Sequence, residues 1–193
     1  MRKIQNATAW LAAALFSLLL VQVPAQAQKS TTAKSTGKLT DPEVASVAVT
    51  ANQIDIDYAK IAKDRSKNAE VIQFADMMMK DHQSVIDQAV ALVTKLKVTP
   101  KDNATSKKLM ADAEKTKTML RSKSGMAFDK AYIDNEVAYH KAVIATVNNV
   151  LIPETENAEL KKLLQDVAPI LNAHLEHAQM VQKQFNKKQI SKK

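Results

Sequence analysis

Residues 74–92 read FADMMMKDHQSVIDQAVAL. Within them Ala75, Met78, His82, Val85 and Ala89 recur at steps of three and four, the spacing that puts side chains on one face of an α-helix. That face is apolar except where His82 takes the place a helix bundle gives to leucine. Two further stretches repeat the pattern. Ile133, Val137, His140, Ile144 and Val147 make one face, and Leu160, Val167, Leu171, His174, Ala178, Val181 and Phe185 make another. Three of the four histidines thus lie on the inward faces of three helices. A histidine there must be paired, coordinated or neutral, because an unpaired polar ring is costly away from water.

The chain on either side of this stretch reads as all-α. Its only glycines, Gly37 and Gly125, fall outside the periodic segments, and no stretch alternates apolar and polar residues. A first helix starts near Asp41-Pro42, carries Val44, Val47, Ala51, Ile54, Tyr58 and Ile61 inward, and ends near Ser66. The second runs from after Asn68 to about Lys97, before Pro100. A shorter helix covers about 103–121. The third long helix spans about 126–150, with Pro153 marking its end, and the fourth about 157–185, with a kink expected at Pro169.

Four long helices with one long connection make an up-down four-helix bundle with a helical crossover between the second and third. About 19 helical residues in that crossover reach roughly 28 Å, enough to return along the bundle and make those two helices parallel. In that topology His82, His140, His174 and Asp55 fall within about two turns of one level, or roughly 11 Å. Three imidazoles and a carboxylate at one height point to a shared polar site.

The ends of the chain differ from its middle. Arg2 and Lys3, the apolar run Trp10 to Val23 and Ala25-Gln26-Ala27 read as an export signal, residues 1–27, cut before Gln28. The apolar run is shorter than the ~20 residues of a membrane span. Residues 28–41 read as a flexible polar linker, 42–186 as the bundle and 187–193 as a basic tail. The formal charge of +8 belongs to these ends, since 42–186 hold 19 basic and 19 acidic residues. A nucleic-acid-binding face is therefore not expected. The lysine tail can touch anionic lipid or cell-wall polymer. Without cysteine there is no disulfide, no thiol nucleophile and no lipid attached at the cut, which is compatible with the periplasm or envelope of a bacterium.

Three segments resemble the motifs of a bacterial family, domain of unknown function 4142. They are FADMMMKDHQSVIDQAVAL at 74–92, FDKAYIDNEVAYH at 128–140 and PILNAHLEHAQ at 169–179, and the resemblance spans roughly 45–185. It implies a ferritin-like four-helix fold and an exported or envelope location. It carries the motif roles to Asp81, His82, Phe128, Asp129, Tyr132, His140 and His174. Where the family usually has a glutamate on the first helix, this chain has Asp55; His177 is peculiar to it. The family is often labelled a predicted outer-membrane protein, but an all-helical domain cannot form a transmembrane barrel.

The polar residues constrain the chemistry further. Di-iron bundles use Glu-x-x-His on two helices, and the chain has no such motif. Glu136 and His140, four apart, share a face but break it. A mononuclear site remains, with His82, His140, His174 and Glu136 or Asp55 as ligands, Asp81 beside His82, and His177 three residues after His174. Such donors suit zinc, copper, iron, nickel or manganese, and a thioether from Met78 would favour copper. The alternative is a buried hydrogen-bond network in an envelope module that acts through its surface, with Glu136 bonded to His140 and Asp81 or Asp55 to His82. No nucleophilic triad or phosphate-binding loop is read, so no catalytic residue is assigned.

Overall fold

The computed structural model describes residues 37–190, with side chains as far as Phe185. The expected export signal, most of the linker and the last residues of the tail lie outside the described residues. Helix α1 (Asp41–Arg65) begins after Thr40, with Pro42 in the first turn, where a missing N–H costs no helical bond. It ends at Ser66. Helix α2 (Ala69–Lys95) is capped by Asn68, whose side chain accepts the Glu70 N–H at 3.0 Å. Past Leu96 the chain turns through Lys97 at φ +54°. The Lys97 N–H donates to the Thr94 carbonyl and the Val98 N–H to that of Val93, so the last carbonyls of α2 are satisfied.

Helix α3 (Ala104–Arg121) forms the expected crossover. Asn103 caps it, accepting from the N–H groups of Thr105 and Ser106. Gly125, at φ +54°, opens helix α4 (Gly125–Thr146) at a turn where a side chain would be strained. Pro153 does not end this segment. A π-helical stretch, Val147–Leu151, passes straight into the short α5 (Ile152–Glu154), which contains the proline. Helix α6 (Ala158–Ile190) is uninterrupted at Pro169 and runs into the segment read as a tail.

Contacts at the helix ends fix the directions. The start of α1 meets the start of α6, where Asp41 accepts the N–H groups of Glu156 and Asn157. The end of α2 meets the same place through Lys95 and Glu159. The start of α3 is tied to the start of α1 by Asn103, whose amide donates to the Glu43 carbonyl. Its far end is tied to the end of α1, where Arg65 donates to the Lys123 carbonyl. At that end α4 begins, and Ser66 donates to Asp129 at 2.6 Å in a buried bond. Helices α2 and α4 are therefore parallel, and α1 and α6 run opposite to both.

Two apolar clusters fill the bundle. One, at the end where α1 turns into α2, contains Ile54, Tyr58, Phe74, Met78, Phe128, Tyr132, Ile133, Ala178 and Phe185. The other contains Val44, Val47, Val85, Val147, Leu151, Leu164, Val167 and Leu171. Each histidine-bearing helix passes from one cluster to the other at its histidine. His82 lies between Met78 and Val85, His140 between Val137 and Val147, and His174 between Leu171 and Ala178. The waist between the clusters is thus polar by construction.

Candidate metal centre

Asp55 from α1, His82 from α2, Glu136 and His140 from α4, and His174 from α6 are all buried, with exposures of 0 to 3%. Nitrogens of His82, His140 and His174 lie within 4.8 Å of one another, as do atoms of Asp55, Glu136 and His140. The ring centroids of the three histidines are 5.2 to 5.7 Å apart.

Each imidazole is held by one nitrogen. Nδ1 of His82 is 2.7 Å from Oδ1 of Asn52, Nδ1 of His140 is 3.0 Å from the Glu136 carbonyl, and Nε2 of His174 is 3.0 Å from Oδ2 of Asp81. All three partners are acceptors, so each held nitrogen is the N–H. The opposite nitrogens, Nε2 of His82, Nε2 of His140 and Nδ1 of His174, then carry lone pairs, and none of the three has a hydrogen-bond partner. Fixing the outer nitrogen and freeing the inner one is how proteins prepare histidine for a metal.

Asp55 completes the group. Its Oδ2 is 3.3 Å from Nε2 of His82 and 3.6 Å from Nε2 of His140, and neither of its oxygens is hydrogen bonded. Two ligands each 2.0–2.1 Å from one tetrahedral ion stand about 3.3 Å apart. The spacing therefore suits ligands of a shared cation. Glu136 sits behind, its Oε2 3.6 Å from Nδ1 of His140 and both oxygens without partners.

Burial sets the charge state of this group without an ion. Removal from water pushes the Asp55 carboxyl up to about 7. It pushes Glu136 well above the usual carboxylate range, and the neighbouring Asp55 charge adds to the effect. Burial also holds His82 well below its ordinary value, helped by the neighbouring histidines, and lowers His140 to about 4. For His174 it outweighs the raising effect of Asp81. The centre thus holds neutral imidazoles and at least one protonated carboxyl, and a cation would restore the carboxylate form.

Several residues fall elsewhere than the sequence spacing implied. Asp81 does not serve its neighbour His82; it points across to α6, a third exposed, and orients His174. His177 stands apart from both clusters, its ring edge-on to Phe74 at 5.3 Å. Met78 is fully buried within the apolar cluster. Phe128 and Tyr132 stack in the core, and Asp129 binds Ser66, so these three motif residues build the bundle. Asn52 was not picked out from the sequence. Its place one turn before Asp55, on the same face, was the available signal.

The model of the family described as "Domain of unknown function (DUF4142)" matches residues 23–181. The chain belongs to that family. No curated protein matches it in sequence. A solved structure described as "CopM in the Cu(II)-bound form" is similar at TM-score 0.59 and 18% identity, over 77% of this chain and 99% of the other. At that identity the likeness is one of fold. It agrees with the helical bundle seen for this DUF4142 chain, in which no described helix is long and apolar enough to cross a membrane.

Proposed function

We propose that the chain binds one transition-metal ion at the waist of the bundle. His82 and His140 ligate through Nε2, His174 through Nδ1, and Asp55 supplies the carboxylate. The observation that carries this reading is the convergence of three unpartnered nitrogens whose opposite nitrogens are each tied to an acceptor. A purely structural network satisfies its own members; here, even with one proton shared between the Asp55 and Glu136 carboxyls, the three inner imidazole nitrogens are left without partners. Imidazole and carboxylate suit copper, zinc, iron and manganese. The copper-bound state of the similar CopM structure makes copper the first ion to try. Asn52, the Glu136 carbonyl and Asp81 position the ligands.

Elemental analysis of tag-free protein, after exposure to each ion and removal of the excess, tests the proposal. We expect one ion per chain, lost when His82, His140 and His174 are together changed to alanine. Stoichiometric metal that survives the triple change would place the ion elsewhere; absence of every ion would leave the structural network. The reading of residues 1–27 as an export signal would place this centre in the periplasm or envelope. The intact mass of exported protein, beginning at Gln28 or retaining Met1, decides that.

A further inference from the structure

A cavity of about 310 Å³ lies against one side of the polar waist. Well-packed protein interiors hold few voids larger than a water molecule. An engineered apolar void of about 150 Å³ is already large enough to bind benzene. This one is written into the sequence by small residues at lining positions: Ala45, Ala48 and Ala51 on α1, Ala89 on α2, and Ala138 and Ala142 on α4. Its inner wall is apolar, formed by Val85, Leu164, Val167 and Leu171 among others. Ala138 and Ala142 are exposed, and Asp112 and Thr116 of α3 are partly so. The cavity therefore reaches the surface between α3 and α4.

The polar end of the cavity is formed by Asp55, His82 and His140; His174 is not part of the wall. The unpartnered atoms these three residues present there are the Asp55 oxygens and the two Nε2 lone pairs, all of them acceptors when Asp55 is in its carboxylate form. The lining also presents one unpartnered donor, Nδ2 of Asn135, so the metal-free site favours a head group that can both donate to Asp55 and accept from an amide. A carboxylate head also adds a second buried negative charge, and an ammonium head must be desolvated. A hydroxyl meets both states of the site, donating to Asp55 while its own lone pair faces any ion held by the histidines.

We propose that this cavity binds a small apolar alcohol or phenol, with its hydroxyl at Asp55, His82 and His140 and its apolar body between α1, α2, α4 and α6. The inference deepens the metal-centre reading and rests on it for the hydroxyl's second partner only, since the cavity and the Asp55 acceptor stand without the ion.

The test compares 1-naphthol with naphthalene by calorimetric or fluorescence titration of the full chain, metal-free and metal-loaded. The hydroxyl should tighten binding about tenfold over naphthalene, the worth of one buried hydrogen bond. Ala89→Leu fills the cavity and should abolish naphthol binding while leaving metal stoichiometry and thermal unfolding intact, because it fills a void instead of crowding a packed core. Ala142→Trp, at the exposed mouth where folding is not at stake, should slow naphthol association. Naphthol bound no more tightly than naphthalene, or bound equally well by both variants, would overturn the inference. Naphthol binding that is lost in Ala89→Leu, in protein that takes up no metal, would support the cavity site and sink the metal reading alone.

Discussion

At the scale of single residues, the centre is defined by which nitrogen of each histidine is tied down. Asp81 touches no ligand atom of the proposed ion, yet it fixes the tautomer of His174 across 3.0 Å. Asp81→Ala should therefore weaken metal binding about 10- to 100-fold, the usual effect of losing such an outer partner. Calorimetric titration checks this, and an unchanged affinity would separate Asp81 from the site. The histidines were legible because polar residues broke three apolar faces. Their partners were not. Periodicity shows that Asn52 and Asp55 share the inward side of α1, but not that Asn52 holds His82 while Asp55 stands free. His177 was drawn in by its three-residue spacing from His174; the ring it meets, Phe74, is contributed by another helix.

The same residues set the pH response of the metal-free protein. Unfolded histidines take up protons near 6.5, whereas burial keeps His82, His140 and His174 neutral to lower pH, to about 4 for His140. Their contribution is present above about 6.5 and lost as pH falls. The carboxyls act in the opposite sense. Asp55 is raised to about 7 and Glu136 well above 4.5, so their contribution is complete at low pH and lost as pH rises through those values. Just below 6.5 the three histidines outnumber the two carboxyls, and stability rises with pH; above 6.5 the carboxyls alone remain, and it falls. Urea unfolding of metal-free protein should therefore peak near pH 6.5. A steady rise from pH 5 to 9 would contradict the buried carboxyl pair.

At the scale of elements, capping and turn residues account for most helix ends. Asn68 and Asn103 open α2 and α3 as their sequence positions implied. The end of α2 carries a misfit, because Lys97 takes the left-handed conformation that favours glycine. Lys97→Gly should raise stability by about 0.5–1 kcal/mol, the relieved strain exceeding the added freedom of the unfolded chain. A lowered urea midpoint would refute this. The π-helical stretch Val147–Leu151 was not legible, since one extra residue per turn leaves no mark in a short run of apolar residues. Pro153 was read too strongly as a stop. It lies inside a helical run that continues from α4 through the π-helical stretch to Glu154, and Pro169, where a kink was expected, lies inside α6, a long uninterrupted helix packed on two others.

At the scale of the whole molecule, the bundle buries a polar plane between two apolar clusters and aims three lone pairs into it. The topology was legible because the crossover is long enough to return along the bundle, and α3 does lie along α1 from end to end. An ion bound only by the folded state adds stability that grows with its concentration over the dissociation constant, about 2.7 kcal/mol at a hundredfold excess. Copper, zinc, iron or manganese should therefore raise the urea midpoint. The response should vanish when His82, His140 and His174 become leucine and Glu136 becomes glutamine. With Asp55→Asn added, so that no buried carboxyl is left without its partners, the variant should keep much of the metal-free stability, because replacing a whole buried network is often close to neutral. An unchanged midpoint with every ion would favour the structural network.

The most direct measurement is the anomalous scattering of crystals grown from protein loaded with one ion, collected at that ion's absorption edge. The account predicts a single strong peak per chain among Nε2 of His82, Nε2 of His140, Nδ1 of His174 and the Asp55 carboxylate, with nitrogens about 2.0–2.1 Å away for zinc. A peak at His177 or the lysine tail instead, or water and no anomalous signal at the waist of fully loaded protein, would contradict it.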